Sequence, residues 1–542
     1  MVLREDSTKQ KLRGAYYTPL KLAEKMVDFF KDDSSIHTIL EPSCGDGVFI
    51  DALIKKDFIH KGNVVTAIEI EKNETDKINR KLSKYSSINV LNKDFFEFYH
   101  EYKDNRKYDL ILGNPPYIRY QYLDEKQREE MANILIAHGM KSNKLINTWV
   151  GFMVACIHML NKNGKIAFVI PAEILQVAYA EDLRLFLSNE LSKITLITFE
   201  ELVFLGIEQE VVVFIGEKGD FEKGIKILEL NNLDSLDNLD IYGNGFQKLS
   251  HTHEKWTKFF TTIEENQILS RLKEDNRFQK LSDTGIINVG ITTGNNKYFS
   301  VNQEIVDSYG LGDVVCPLIG RSSHAHSVYF RKDDWQKNVA QGKAAYLINF
   351  PDKPIEEYSK GQRDYIAFGE SNKENKGYKC RIREHWYQVP SVWIPDAFFL
   401  RRNNLYPKFV LNCCDAVSTD TMHRIKFNED IEPERIILSY YNSISFAFTE
   451  ICGRSYGGGV LEILPGEVGN ILVPVLDCVP IEIVREALME VDMIVRCTED
   501  IENALNLVDN EILVKFLHID TDVCVSARKI WRKLQHRRLK RG

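Results

Sequence analysis

The chain has no Cys-x-x-Cys pair: its ten cysteines are scattered, and only Cys413 and Cys414 adjoin. That spacing excludes a zinc ribbon and a disulfide framework, and no metal site is expected. No apolar run is long enough to span a bilayer, so no membrane partner is expected. Met1 to Gly14 is polar and charged without an apolar core, which argues against a secretory signal. A reducing cytoplasm is the expected location. Overall basic charge is lacking too, the formal net charge being -8. A nucleic-acid partner would have to meet a local basic surface. There is no internal repeat and no low-complexity segment.

What is present is enough for real cores: 542 residues, 44% of them hydrophobic. That length predicts two or three domains.

The most informative stretch is Tyr108 to Tyr117. Tyr108 to Leu112 reads as a buried strand, and Gly113-Asn114-Pro115-Pro116-Tyr117 follows it. A residue before proline is pushed to extended geometry, which holds Asn114 at the strand's end. Pro115 and Pro116 fix their own φ and donate no N–H. An amide side chain, a proline carbonyl and an aromatic face remain. The Asn114 oxygen and the Pro115 carbonyl can each accept one N–H of an exocyclic amine while Tyr117 stacks on its ring. With both hydrogens held, the amine lone pair can be aimed at an electrophile, which is catalysis by positioning. The plainer alternative is a strand-ending turn.

Taken in order, Tyr16, Tyr17, Thr18 and Pro19 precede an apolar stripe of Leu22, Met26, Val27 and Phe30 at helical spacing. Thr18 and Pro19 suit a helix start; Tyr17 and Thr18 could also lean over a cofactor. Ile36 to Leu40 predicts a strand, ended by Glu41-Pro42-Ser43-Cys44-Gly45-Asp46-Gly47, and Val48 to Ile59 a helix. Strand, glycine turn and helix open a doubly wound α/β sheet. Ile50 stands where a dinucleotide fingerprint needs its last small residue, which argues against NAD. The acids around the turn favour a cationic or hydroxylated ligand.

Val64 to Ile68 predicts strand two, with Glu69 at its tip, where a carboxylate can accept from ribose hydroxyls. Ile88 to Leu91 predicts strand three. Beyond it, Asp94 suits an amino group and Phe95 a ring, or Asp94 simply caps the next helix. Thr148 to Leu160 predicts a helix whose Phe152 lies off the buried stripe, within reach of a cofactor ring. Lys165 to Ile170 predicts strand five, leading to Glu173 and Tyr179. Ile194 to Phe199 and Glu210 to Ile215 read as two last strands. The alternation over residues 36 to 215 implies a parallel sheet with right-handed crossovers. Asp46, Glu69, Asp94, Asn114 and Glu173 all follow strand ends, where such sheets bind ligands.

From about Gly245 the grain changes. Basic residues interleave with aromatics and amides around Arg321, across Lys379, Arg381, Arg383 and Trp386, and at Arg401-Arg402. Such a surface suits phosphates and base edges. Ile481 to Phe516 has helical periodicity. The tail, from Arg528 to Arg541, is a phosphate-contact candidate or a frayed solvated helix. The expected domains are residues 1–244, 245–475 and 476–542.

Together these motifs resemble the N6-adenine DNA methyltransferases of restriction–modification systems, in the order of the Taq-type (gamma) group. The resemblance rests on Tyr16 to Pro19, Glu41 to Gly47, Glu69, Asp94-Phe95 and Asn114 to Tyr117. It implies a class I S-adenosylmethionine-dependent methyltransferase sheet with a C-terminal α+β target-recognition domain. It further implies S-adenosyl-L-methionine as cofactor, with Glu41 and the Pro42 to Gly47 turn at the methionine part, Glu69 at the ribose and Asp94 at the adenine. Asn114, Pro115, Pro116 and Tyr117 would hold a flipped adenine, closed from the other side by Tyr179, with Tyr120 or Tyr122 as the alternatives. Double-stranded DNA would be the partner of a monomer, with any cognate endonuclease acting separately. N4-cytosine methylation is the alternative within this chemistry. A fused endonuclease is another, from the short pattern Asp352 with Glu374-Asn375-Lys376.

Overall fold

The computed structural model describes residues 18–540 apart from 60–61, 144–145, 201–209, 238, 250–254, 457 and 499. Tyr16 and Tyr17 therefore lie outside the described residues. The chain divides into two compact units, Met1–Thr262 and Ile263–Gly542. Residues 476–542 fall within the second.

The first unit carries β1 (Thr38–Glu41), β2 (Val64–Glu69), β3 (Ile88–Asn92), β4 (Tyr108–Gly113), β5 (Leu160–Pro171), β6 (Lys193–Phe199), β7 (Val211–Glu217), β8 (Gly224–Leu230) and β9 (Gln247–Lys248). They form one sheet in the order β3-β2-β1-β4-β5-β7-β6-β8-β9. Its helices are α1 (Leu20–Asp28), α2 (Val48–Lys55), α3 (Lys72–Leu82), α4 (Phe95–Tyr102), α5 (Glu125–Ala137), α6 (Thr148–His158) and α7 (Glu181–Glu190). Side chains alternate across a strand. Ile39 and Leu110 accordingly join one core with Leu22, Met26, Phe49 and Leu53, while Leu40 and Ile111 join the other with Phe98, Trp149 and Met153. Helices thus cover both faces.

The expectation of a wholly parallel sheet is corrected. β7 runs antiparallel to both β5 and β6. A parallel return needs a crossover of a dozen or more residues, and fewer lie between Phe199 and Val211. The sheet also continues past the two last predicted strands through β8 and β9. α2 stops at Lys55 rather than Ile59, because Asp57 adopts a positive φ of 62°.

The second unit is built from smaller sheets. The largest has five strands, in the order Gly285–Val289, Met422–Phe427, Ala397–Leu400, Phe409–Cys413, Tyr329–Arg331. The helical periodicity over 481–516 breaks at Thr498, whose backbone is extended, leaving a helix at Ile481–Cys497 and another at Glu502–Val508. The reading of the basic tail as a frayed helix is corrected as well. Thr521–Leu539 is a helix with Ile530 and Trp531 fully buried. Two of its arginines pair with acids outside the helix: Arg528 with Asp509 (2.9 Å) and Arg538 with Glu450 (2.8 Å).

Candidate active site

In this strand order the chain runs outward from β1 through β2 to β3 and restarts on the other side at β4. The switch point lies between β1 and β4, and ligands of doubly wound sheets bind beyond the strand ends there. β1 ends at Glu41 and β4 at Gly113, immediately before Asn114. Their tips line a cavity of about 590 Å³. It gathers Thr18, Glu41, Pro42, Ser43, Gly45, Asp46, Glu69, Asp94, Phe95, Asn114, Pro116 and Phe152, all of them named by the sequence.

Each wall has a local cause. Gly45 and Gly47 take positive φ, 53° and 85°, which tightens the turn after β1. Glu69 ties that turn to the next one: the Gly45 N–H donates to its Oε2 (2.8 Å) and the Glu71 N–H to its Oε1 (2.8 Å). Asp94 is the cap of α4 after all, accepting from the Phe96 N–H (2.8 Å) and the Glu97 N–H (3.4 Å), yet it also lines the cavity. Phe95 stacks on Phe152 at 4.6 Å between centroids, making an apolar wall. Thr18 does not cap α1, whose cap residue is Pro19. Its hydroxyl instead accepts from Asn114 Nδ2 (3.2 Å). That bond fixes the amide with Oδ1 as its acceptor end. Ser43 Oγ donates to the Asn114 carbonyl (3.3 Å), joining the two strand tips.

The electrostatics are one-sided. Glu41, Asp46, Glu69, Glu71, Glu74 and Asp94 line the cavity against one cation, Lys93, and Lys93 is paired with Glu101. Glu41 is fully buried, and neither carboxyl oxygen has a hydrogen-bond partner among the described residues. Burial first, then Asp46 and Glu69, pushes its pKa well above the usual carboxylate range. Burial raises Asp46 and Glu69 as well, against the backbone bonds that lower them. A buried carboxyl with no cation stays neutral rather than bear the cost of an isolated charge. Burial and the same acids push the Cys44 thiol up, so it is no thiolate nucleophile.

Other named residues lie apart from this cavity wall. Pro115 is buried, and Tyr117 donates from its hydroxyl to the Val169 carbonyl (3.0 Å), which orients the ring. Tyr179 donates to the Glu173 carboxylate. In the second unit, Arg321, Lys379 and Arg381 are exposed. Arg383 is half-buried and donates from Nη2 to the Thr292 carbonyl (3.0 Å). Trp386 donates to Glu370 (3.1 Å) and packs on Tyr298 (4.9 Å), so much of its role is structural. Of the nuclease-like pattern, Glu374 is engaged by Asn295 Nδ2 and Asp352 by Gln388 Nε2.

Sequence reasoning missed Gln127, which lines the cavity and donates from Nε2 to Asp94 Oδ2 (2.9 Å). No local signal marks it, because the contact exists only where α5 lies beside α4.

Residues 22–204 match the family described as Eco57I restriction-modification methylase, and residues 253–513 the family described as Type II methyltransferase M.Eco57I, C-terminal domain. The type II methyltransferase M.AccI of Acinetobacter calcoaceticus is 23% identical over 480 residues, 84% of either chain. M.HincII of Haemophilus influenzae is 31% identical over 241 residues, 44% of either. The solved structure of the type IIL restriction-modification enzyme MmeI in complex with DNA is 13% identical. It has a TM-score of 0.59 and covers 98% of this chain and 80% of that one, a likeness of fold. The first unit has the class I S-adenosylmethionine-dependent methyltransferase fold. One match thus falls on the nine-stranded sheet and the other on the region after it, so the chain is similar to the Eco57I-type restriction-modification methylases along both units and to type II methyltransferases.

Proposed function

We propose that this protein is a site-specific DNA methyltransferase that transfers the methyl group of S-adenosyl-L-methionine to N6 of an adenine extruded from duplex DNA, as the modification enzyme of a restriction–modification system. The observation that carries it is the Asn114-Pro115-Pro116 turn standing at the switch point, at the rim of an acid-lined cavity.

The residues fit the cofactor. A ligand with a sulfonium and an ammonium suits a cavity with six carboxyl groups and one paired lysine. Glu41, buried without a hydrogen-bond partner among the described residues, suits the ammonium. Glu69, held by two backbone N–H groups, presents its remaining acceptor positions to ribose hydroxyls. Phe95 and Phe152 offer a face to a purine ring. The sulfonium supplies an activated methyl group, so the protein needs no covalent intermediate.

What the chain must do is hold the acceptor amine. Extruding a base costs a few kcal/mol of stacking, which contacts in the pocket must offset. The Asn114 Oδ1 and the Pro115 carbonyl accept the two amine hydrogens, and Tyr117, oriented through Val169, stacks on the ring. The nitrogen lone pair then points at the methyl group in a water-poor site, which lowers the barrier by positioning.

The test is unmethylated DNA incubated with the protein and S-adenosylmethionine, then nucleoside mass spectrometry. N6-methyladenine is expected. N4-methylcytosine would keep the pocket and overturn the base. No methylated DNA nucleoside would overturn the DNA reading altogether.

A further inference from the structure

Six basic side chains that stand out in the sequence of the second unit are paired with acids. Arg528 and Arg532 share Glu502, Lys533 pairs with Glu265 and Arg538 with Glu450. Arg401 and Arg402 share Glu462. The segment 373–383 differs. Lys373, Lys376, Lys379 and Arg381 are all exposed, and none has a side-chain ion pair or hydrogen bond among the described residues. The one acid within the segment, Glu374, is turned to Asn295.

The same segment carries an unusual apolar pair. Tyr378 is 67% exposed, more than any other large apolar side chain among the described residues, and Ile382 is 61% exposed. They stand one helical turn apart, at the start and just past the end of the short helix Tyr378–Arg381, so they share a face. The segment is nevertheless anchored from below. Cys380 is fully buried, and Arg383 reaches the Thr292 carbonyl. A fixed ridge with two apolar tips ringed by unpaired cations fits a polyanion that also offers apolar surface.

We propose that residues 373–383 form a duplex-DNA contact ridge, with Lys373, Lys376, Lys379 and Arg381 on phosphates and Tyr378 and Ile382 against base edges. This rests on the DNA methyltransferase reading and adds where the second unit touches DNA and how it discriminates. Phosphate contacts position a protein without reading sequence, while apolar contacts to groups such as the thymine methyl do read it. The ridge therefore divides the two tasks between its two kinds of side chain.

The test uses the full chain, a fluorescent duplex bearing a site mapped by sequencing methylated DNA, and a scrambled duplex, with binding followed by anisotropy over a range of salt. The double variant Lys379→Ala/Arg381→Ala should weaken both duplexes alike and reduce the slope of log K against log salt by about two. The double variant Tyr378→Ala/Ile382→Ala should keep that slope and reduce the preference for the site by about tenfold or more. Melting temperature and cofactor affinity should not change in either. If both variants bind and discriminate as the wild type does, the ridge proposal is wrong. It is also wrong if they leave DNA binding intact but change the sedimentation of the chain, since the ridge would then cover protein. If no methylated site can be mapped, the DNA methyltransferase reading itself fails, and the ridge proposal with it.

Discussion

Glu41 in the first unit and Arg538 in the second are buried to the same depth, and their surroundings could hardly differ more. Arg538 meets both oxygens of Glu450 and the carbonyls of Asn404 and Gly459. Glu41 meets no hydrogen-bond partner among the described residues and faces other acids. A buried ion needs a partner, and removing one partner leaves an uncompensated charge. Where the chain supplies the partner itself, the charge belongs to the architecture. Where the chain withholds it, the group is set to receive a ligand of opposite sign. The same contrast separates the paired arginines of the C-terminal helix from the unpaired cations of 373–383.

The sharpest break of this comparison is Asn114→Ala. Losing the amide that holds the acceptor amine should cost about a thousandfold or more in methyl transfer. Cofactor affinity and melting temperature should stay near wild type, because the amide stands in the cavity wall, bonded to Thr18. A variant with near-normal transfer rates would remove Asn114 from the mechanism. In the second unit, Glu450→Ala should do the reverse, costing about 3–5 kcal/mol of stability by stranding Arg538. Chemical denaturation would measure it, and a loss under about 1 kcal/mol would make that pair dispensable.

Glu41→Gln sharpens the comparison at its other pole. Folded Glu41 stays neutral above its usual value of 4.5, while the unfolded chain ionises there. The unfolded state then binds fewer protons, so the cofactor-free protein should lose stability as pH rises from about 4.5 toward the raised value. Glutamine is neutral throughout, so the variant should melt like wild type near pH 4 and above it near pH 8. Asp46 and Glu69, also raised, keep part of the slope. Cofactor affinity should fall in the same variant. Parallel melting curves across the range would mean that Glu41 is ionised, with a partner after all.

Much of the site was legible because its residues sit at strand tips, and strand tips follow from runs such as Val64 to Ile68 and Tyr108 to Leu112. Hydrophobic runs and glycine turns are local. β7 escaped because strand direction depends on the length of a connection rather than on the strand itself. The tail escaped for a different reason: its run of cations carries no nearby acid, and its partners Glu450, Glu502 and Asp509 are supplied by the tertiary fold. Of the two readings of Thr18, the cap fails, since Pro19 caps the helix, while the place at the cavity holds, and its partner there is Asn114, far along the chain.

Gln127 is the contact that local reading could least supply, and it carries the smallest expected effect. Asp94 accepts three hydrogen bonds, two from the backbone of α4 and one from Gln127 on α5. The first two cap a helix and persist without Gln127. The third reaches the other carboxylate oxygen, so it orients the group that lines the cavity. α5 follows the Asn114-to-Tyr117 turn in the chain, and this bond ties it to the cofactor wall. Gln127→Leu removes the donor at similar volume, and with the two backbone bonds still holding Asp94 the loss should be about 1 kcal/mol, the net worth of one hydrogen bond. Cofactor affinity should therefore fall by about threefold to tenfold with the melting temperature unchanged, whereas Asp94→Ala, which also removes the cap, should lower both. Calorimetric titration of the two variants separates the cases. An unchanged affinity in Gln127→Leu would mean that the helix cap alone sets Asp94, and that α5 bears on the amine and not on the cofactor.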